Sequence, residues 1–419
     1  MNIRDYMTNV GKQSVKASKE IKSLSTIDKN NLLLSIAESI RDEKDKIISA
    51  NQEDINLAKK NNTSKVMINR LMLDNERIEN IAKSVEDIVK LSDPVGRVLY
   101  ETKRPNGLII NRVSVPLGVI GIIYESRPNV TVDASVLCIK AGNVAILRGG
   151  SESFNSNTSL IKAIQLALTK NDLNKDTIQL VETVDRAAVD YMLAEMTDTI
   201  DVIVPRGGKG LVKKVQDMAR VPIIGHLEGI CHIYVNNSAN LETALKIIHN
   251  AKLRRTEICG AAETLLIDQA YAKDNLNNIV TNLHEGGCEI RGDIASQEID
   301  NRILHANEVD WSTEYLDAII AIKLVKNVDE AVEHIAEYGS GHTESIIAED
   351  KEVAEKFLNL VDSAIVMHNT STQFADGGEF GLGAEIGIST GRLHARGPVG
   401  LEGLTTYKYI VKGNGQIRP

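Results

Sequence analysis

Four cysteines in 419 residues, at 138, 231, 259 and 288, show no paired spacing such as C-x-x-C. That argues against a zinc ribbon and against a disulfide framework, and makes reduced thiols the default. No apolar run reaches spanning length, and the stretch MNIRDYMTNVGKQ lacks the apolar centre of a signal peptide. A soluble, cytoplasmic protein is expected. Nor is positive charge in excess. The 48 Lys and Arg against 57 Asp and Glu give a formal net charge of -9, which argues against bulk binding to nucleic acid or to anionic membrane. An anionic substrate held in one local basic pocket stays compatible with that balance. The chain also lacks internal repeats, low-complexity tracts, a G-x-G-x-x-G fingerprint, a Walker A sequence and any H-x-x-x-H pair. No Cys/His cluster is visible along the sequence, and no metal site is expected.

At about 150 residues per domain, the length suits two or three domains with real cores. The composition, 42% hydrophobic and 25% charged, is that of an ordinary globular protein. The first hundred residues read as helical. Thr26 can cap a helix in which Leu32, Leu33, Ile36, Ile40, Ile47 and Ile48 recur at helical spacing, and Ile78, Ile81, Val85, Ile88 and Val89 repeat the pattern. Pro94 and then Pro105-Asn106-Gly107 end this region, which is expected to cover a sheet. From about residue 108, short apolar runs at 119–124, 144–147, 178–181, 200–204 and 231–235 alternate with helical stretches such as 159–169 and 187–196. Such alternation predicts a parallel sheet covered on both faces, with ligands at the carboxyl ends of its strands. A second α/β series follows, with strands expected at 264–267, 318–325, 345–348 and 364–367 and helices at 330–337 and 351–361. The boundary between the two series is expected near Asn250. The run 407–411 reads as a last strand.

Three groups of residues could carry chemistry. Cys259 lies in Lys252-Leu253-Arg254-Arg255-Thr256-Glu257-Ile258-Cys259-Gly260. A thiolate is the nucleophilic form, nearby guanidinium groups favour it, and a loop before a strand offers backbone N–H groups to an oxyanion. A lone Cys is, however, more often a small buried hydrophobe. The loops Leu147-Arg148-Gly149-Gly150-Ser151 and Val204-Pro205-Arg206-Gly207-Gly208-Lys209-Gly210 each follow an apolar run and precede a helical stretch. Glycine lets backbone N–H groups approach a phosphate, and a helix start adds a favourable dipole; a tight turn of any α/β protein reads the same way. The third group is Tyr338-Gly339-Ser340-Gly341-His342-Thr343-Glu344-Ser345, whose density of Gly, hydroxyl and titratable residues suggests a binding loop. Cys138 and Cys231 read as packing residues, and Cys288 has no assigned role.

In order along the chain, Pro116-Leu117-Gly118, Ala141-Gly142-Asn143, Cys259 and the Gly-rich tail resemble the aldehyde dehydrogenase superfamily. The segments 124–130, Pro205-Arg206-Gly207-Gly208, 231–235, 314–317 and 325–346 are similar, more narrowly, to the gamma-glutamyl phosphate reductase family. The resemblance runs from about residue 100 to the C-terminus. It implies two Rossmann-like α/β domains plus a small β oligomerisation arm. The expected cofactor domain is 1–104, 117–250 and 377–404; the catalytic domain is 251–376; the arm is 105–116 and 405–419. It also implies NADPH-dependent reduction of L-glutamyl 5-phosphate to L-glutamate 5-semialdehyde with release of phosphate, the second step from glutamate to proline. Glutamate 5-kinase, as the source of the acyl phosphate, and further copies of the chain are the implied partners. An oxidising aldehyde dehydrogenase with another substrate is the alternative.

Residue by residue, the resemblance puts Cys259 at the nucleophile position. The superfamily's oxyanion Asn falls, without a gap, on Arg127, so Asn129 or the Cys259 backbone N–H is the expected oxyanion donor. Arg127 is expected at the substrate phosphate. Arg148, Gly149, Gly150 and Ser151 are expected near the adenosine ribose, where a neutral Gly-Gly beside Arg tolerates a 2′-phosphate. Arg206, Gly207, Gly208 and Lys209 fall by the pyrophosphate, and Glu314 at the nicotinamide ribose. Arg255, His342 and Glu344 are candidates for the carboxylate and ammonium of the substrate. Aligned without a gap, His226 replaces the Glu that activates hydrolytic water in oxidising relatives. Losing that base suits a reductase.

Overall fold

The computed structural model describes residues 2–125 and 127–418, with Val66 described by its backbone alone. Ser126, within the 124–130 motif, lies outside the described residues. The chain divides into two compact units, 1–225 with 381–387 and 399–419, and 226–380 with 388–398.

The first unit opens with five helices. The one at Thr26–Asp42 begins at Ser25, not at Thr26 as expected. The Ser25 hydroxyl accepts from the Asp28 amide while the Asp28 carboxylate accepts from the Ser25 amide, a reciprocal cap that satisfies two donors at once. Leu32, Leu33, Ile36 and Ile40 of this helix are buried, as their spacing requires. Behind the helices lies a four-stranded parallel sheet in the order Ile178–Leu180, Val144–Arg148, Val119–Tyr124, Val202–Arg206. All six residues of Val119–Tyr124 are buried, the mark of a parallel strand covered on both faces.

A three-stranded antiparallel sheet has Ile109–Pro116 in its centre, flanked by Val98–Lys103 and Thr405–Lys412. It contains the two expected arm segments and one strand, Val98–Lys103, that burial could not reveal, because nearly all its residues are exposed. Val98, Leu99, Tyr100, Tyr407, Tyr409 and Val411 are all exposed large apolar residues of this sheet.

The second unit is built on a seven-stranded parallel sheet, in the order Leu304–His305, Glu289–Gly292, Ile319–Val325, Ala262–Asp268, Cys231–Val235, Thr343–Ile347, Ile365–His368. Here the structure moves an expected boundary. Cys231–Val235 pairs with Ala262–Asp268 and Thr343–Ile347, so the unit starts at residue 226 and not near Asn250. Apolarity alone cannot say which of two parallel sheets a buried strand joins. The tail 377–404 is likewise divided, with 388–398 belonging to the second unit. Among the described residues no helix is long and apolar enough to cross a membrane.

Candidate active site

The two strand-end loops of the first unit are spatially constrained. A Cβ on Gly149 would lie 2.2 Å from Asn157 Nδ2 and 3.1 Å from the Tyr124 hydroxyl, so no larger residue fits. Arg148 is nearly buried and donates to the carbonyls of Gly149 and, at 2.9 Å, Val184. Burial lowers its pKa, and its Nε has no partner. Ser151 starts a short 3-10 turn, Ser151–Ser153. In the second loop, the Gly208 amide at the start of the Lys209–Met218 helix donates to the Glu125 carboxylate at 3.0 Å. A Cβ on Gly207 would stand 2.5 Å from the same oxygen. The sequence reading did not single out Glu125, although it directly follows the Val119–Tyr124 strand. Its carboxylate demonstrates that this helix start accepts an anion, which is the fit a pyrophosphate would need.

Arg127 is half-buried beside the Asn129–Lys140 helix. The Asn129 side-chain amide donates to Asp133 at 2.9 Å, so one of its two N–H groups is committed within the helix. Burial raises Asp133 to about 6, against the lowering effect of Asn129.

In the second unit, Cys259 sits in a turn between the Leu241–Leu253 helix and the Ala262–Asp268 strand. Gln373 fastens that turn, its Nε2 donating to the carbonyls of Ala251 at 2.9 Å and Arg255 at 3.0 Å. Cys259 is half-buried and packs against Ile365, Met367, Ala375 and Ile388. The loop 225–230 presses on it from another side. A Cβ on Gly229 would lie 2.1 Å from the Cys259 carbonyl oxygen. The Gly229 amide donates to Glu314 at 2.9 Å, and the Ile230 amide to the Ser340 hydroxyl at 2.9 Å.

Two imidazoles meet the sulfur. One ring nitrogen each of His226 and His342, and the Cys259 Sγ, lie within 4.8 Å of one another. The two rings stand edge to face with centroids 4.8 Å apart. His226 Nδ1 bonds to the Ile388 carbonyl at 2.7 Å. His342 is fully buried, with Nδ1 2.9 Å from the Thr343 hydroxyl and 3.6 Å from Cys231 Sγ, while Nε2 has no partner. The sequence shows no Cys/His cluster because these residues come from three separate segments; the fold assembles one. Cys231, read as a packing residue, is part of it: its thiol donates to the Cys259 carbonyl at 3.1 Å. Burial, with help from Glu344, pushes that thiol's pKa well up. The arginines expected to favour the Cys259 thiolate are engaged elsewhere. Arg254 donates to Gln373, and Arg255, exposed, pairs with Glu257 at 3.0 Å.

Glu344 is a correction of another kind. It is fully buried, one oxygen accepting from the His232 amide at 2.7 Å and ring Nδ1 at 2.9 Å, the other from Ser363 at 3.2 Å. With both oxygens taken, it braces two adjacent strands and does not face a substrate ammonium. Nearby, Lys252 and Glu263 form a buried ion pair at 2.5 Å. Burial lifts Glu263 to about 7 despite Lys252. His334, behind His232, accepts from Lys323 Nζ on Nδ1 at 3.2 Å and is driven down to about 2 by burial, His232 and Lys323. Lys252, Glu263 and His334 could not be chosen from sequence, because their partners are set by how the helices pack on the sheet.

Comparison with known proteins adds a further observation. The sequence profile of the Aldehyde dehydrogenase family matches residues 5–287. The gamma-glutamyl phosphate reductase of Paramagnetospirillum magneticum is 55% identical over 413 residues, 99% of this chain and 97% of that one. That of Parvibaculum lavamentivorans is 54% identical over 413 residues, with the same coverage. The crystal structure of gamma-glutamyl phosphate reductase from Thermotoga maritima superposes with a TM-score of 0.97 at 44% identity, covering 99% of this chain and all of that one.

Proposed function

Because this chain belongs to the gamma-glutamyl phosphate reductases, oxidoreductases of the aldehyde dehydrogenase family, we propose that it reduces L-glutamyl 5-phosphate with NADPH through a Cys259 thioester. The product is L-glutamate 5-semialdehyde, with phosphate released, on the route to proline. The observation that carries the reading is the half-buried Cys259 thiol at a strand start, attended by two imidazoles. The thiolate attacks the acyl carbon and phosphate, already a good leaving group, departs. A nicotinamide cofactor bound there would supply the hydride for the thioester carbon. The resulting thiohemiacetal oxyanion is held by the Cys259 backbone N–H or by Asn129, and collapses to aldehyde and free thiolate.

Arg206, Gly207, Gly208 and Lys209 would hold the pyrophosphate, a reading supported by the Gly208 amide donating to the Glu125 carboxylate at that helix start. Arg148, Gly149, Gly150 and Ser151 would take the adenosine ribose and its 2′-phosphate, and Glu314 the nicotinamide ribose. Arg127 and Arg255 are assigned to the substrate's phosphate and carboxylate. His342, being buried, acts on the thiol rather than on the substrate's charged end. His226 occupies the loop position of the water-activating Glu of oxidising relatives, which favours reduction over thioester hydrolysis.

The exposed apolar residues of the three-stranded sheet suit pairing with a second copy of the chain, and glutamate 5-kinase is the natural supplier of so labile a substrate. The test is the reverse assay with glutamate semialdehyde and NADP. Turnover is expected only when phosphate is added. Equal rates without phosphate would assign the chain to aldehyde oxidation, and a kcat/KM for NAD matching that for NADP would overturn the cofactor assignment.

A further inference from the structure

The trio at Cys259 has the donor set of a metal centre. One thiolate and two imidazoles are the ligands preferred by zinc and similar thiophilic divalent cations, and by neither magnesium nor calcium. Two features go beyond proximity. His342 Nε2 is fully buried and unpartnered, although its ring is held in place through Nδ1 by Thr343 and Cys231. A buried polar atom left without a bond is costly, and a ligand that engages it recovers that loss. His226 is braced through Nδ1 on the Ile388 carbonyl at 2.7 Å, which is how metal-ligating imidazoles are oriented, with Nε2 the nitrogen a cation would take.

The spacing is also close to what is needed. Tetrahedral zinc separates N and S ligands by about 3.5 Å, given Zn–N of about 2.0 Å and Zn–S of about 2.3 Å. The three ligand atoms here lie within 4.8 Å of one another. Closing the remaining gap requires about 1 Å of movement, which the half-buried His226, on a loop outside any helix or strand, can provide.

We propose that His226, Cys259 and His342 bind a zinc-class divalent cation with the fourth position left to water, and that the cation reversibly caps the nucleophile. Binding replaces the Cys259 S–H by an S–metal bond and releases that proton to solvent, with no change of oxidation state. Chelation restores the thiol. The inhibitory half rests on the reading of Cys259 as nucleophile; the binding half does not.

The test uses the full-length reduced protein with zinc chloride alone, read by competition with a chromogenic chelator, and with cobalt chloride, read by absorbance. The expected result is one zinc per chain and a thiolate-to-cobalt charge-transfer band. Zinc should slow iodoacetamide alkylation of Cys259 at least tenfold, reversed by chelator. Cys259→Ser should abolish the band, and His226→Asn and His342→Asn should each weaken zinc at least tenfold. If the buried His342→Asn variant fails to fold, His226→Asn carries the test. Zinc binding unchanged in Cys259→Ser or His226→Asn, or a cobalt spectrum without a thiolate band, would overturn the site. Binding as expected in a protein without reductase activity would sink the catalytic reading and leave the metal site standing.

Discussion

The two parallel sheets keep their chemistry at opposite ends. In the four-stranded sheet the strands are mostly apolar, Arg148 and Arg206 are the last residues of theirs, and Glu125, Gly149 and Gly207 follow directly after Val119–Tyr124, Val144–Arg148 and Val202–Arg206. In the seven-stranded sheet the candidate residues come before or at the starts. Cys259 precedes Ala262–Asp268, His342 precedes Thr343–Ile347, and His232, Glu263 and Glu344 are second in their strands. The rule that ligands gather at carboxyl ends therefore points to the loops of the first sheet, whereas the candidate residues of the second lie at strand starts. The lesson is that burial of charge differs with the task. Loops after strands can offer backbone amides to an anion without desolvating a side chain. The strand starts of the second sheet rely instead on buried side chains, which must be paired with one another.

The sharpest way to break that contrast is at the sulfur. Cys259→Ala should lower turnover by about four orders of magnitude or more while NADPH still binds, followed by fluorescence titration; surviving turnover would remove the nucleophile. Next comes the paired charge beneath it. Glu263→Ala leaves Lys252 buried and uncompensated, and should cost about 3–5 kcal/mol in urea denaturation. No comparable loss is expected for a surface pair such as Lys246 and Glu242.

Two titratable groups, one in each unit, should answer pH with opposite sign. His334, held near 2 in the folded chain, takes up a proton on unfolding below about 6.5, so its contribution is lost as pH falls from that value. Asp133, raised to about 6, keeps a proton that the unfolded chain gives up above about 4, so its contribution is lost as pH rises through that window. Each slope is at most about 1.4 kcal/mol per pH unit. Urea midpoints across pH, compared with His334→Gln and Asp133→Asn, should show one slope flatten on each side. The smallest effect expected is on cofactor affinity. Glu125→Gln removes a negative occupant from a helix start and should tighten NADPH by about two- to fivefold.

Much of the fold was legible because parallel strands buried on both faces write themselves as apolar runs. Every such run of the first sheet was found, and so were Ile319–Val325 and Thr343–Ile347 of the second. Val98–Lys103 was not, since an exposed strand has no burial pattern, and neither was Glu289–Gly292, which is only four residues long. Cys259 was proposed from its own neighbourhood, although the flanking arginines that entered that argument bond to Gln373 and Glu257. Glu344 could not be read correctly, because its role depends on His232, over a hundred residues earlier and adjacent only through strand pairing. The same holds for His226 and His342, whose meeting at the sulfur has no trace in local spacing.

The contact between Gly229 and the Cys259 carbonyl also sets limits on redesign. With the Cys259 carbonyl oxygen only 2.1 Å from where a Cβ would go, any side chain at 229 must shift the backbone of the turn that carries Cys259. A library that varies Leu227 and Glu228 but spares 229 keeps the thiol aimed while reshaping its surroundings. One that randomises 229 disturbs the Cys259 turn itself, so variants with new substrate range and variants with no activity become inseparable in a screen.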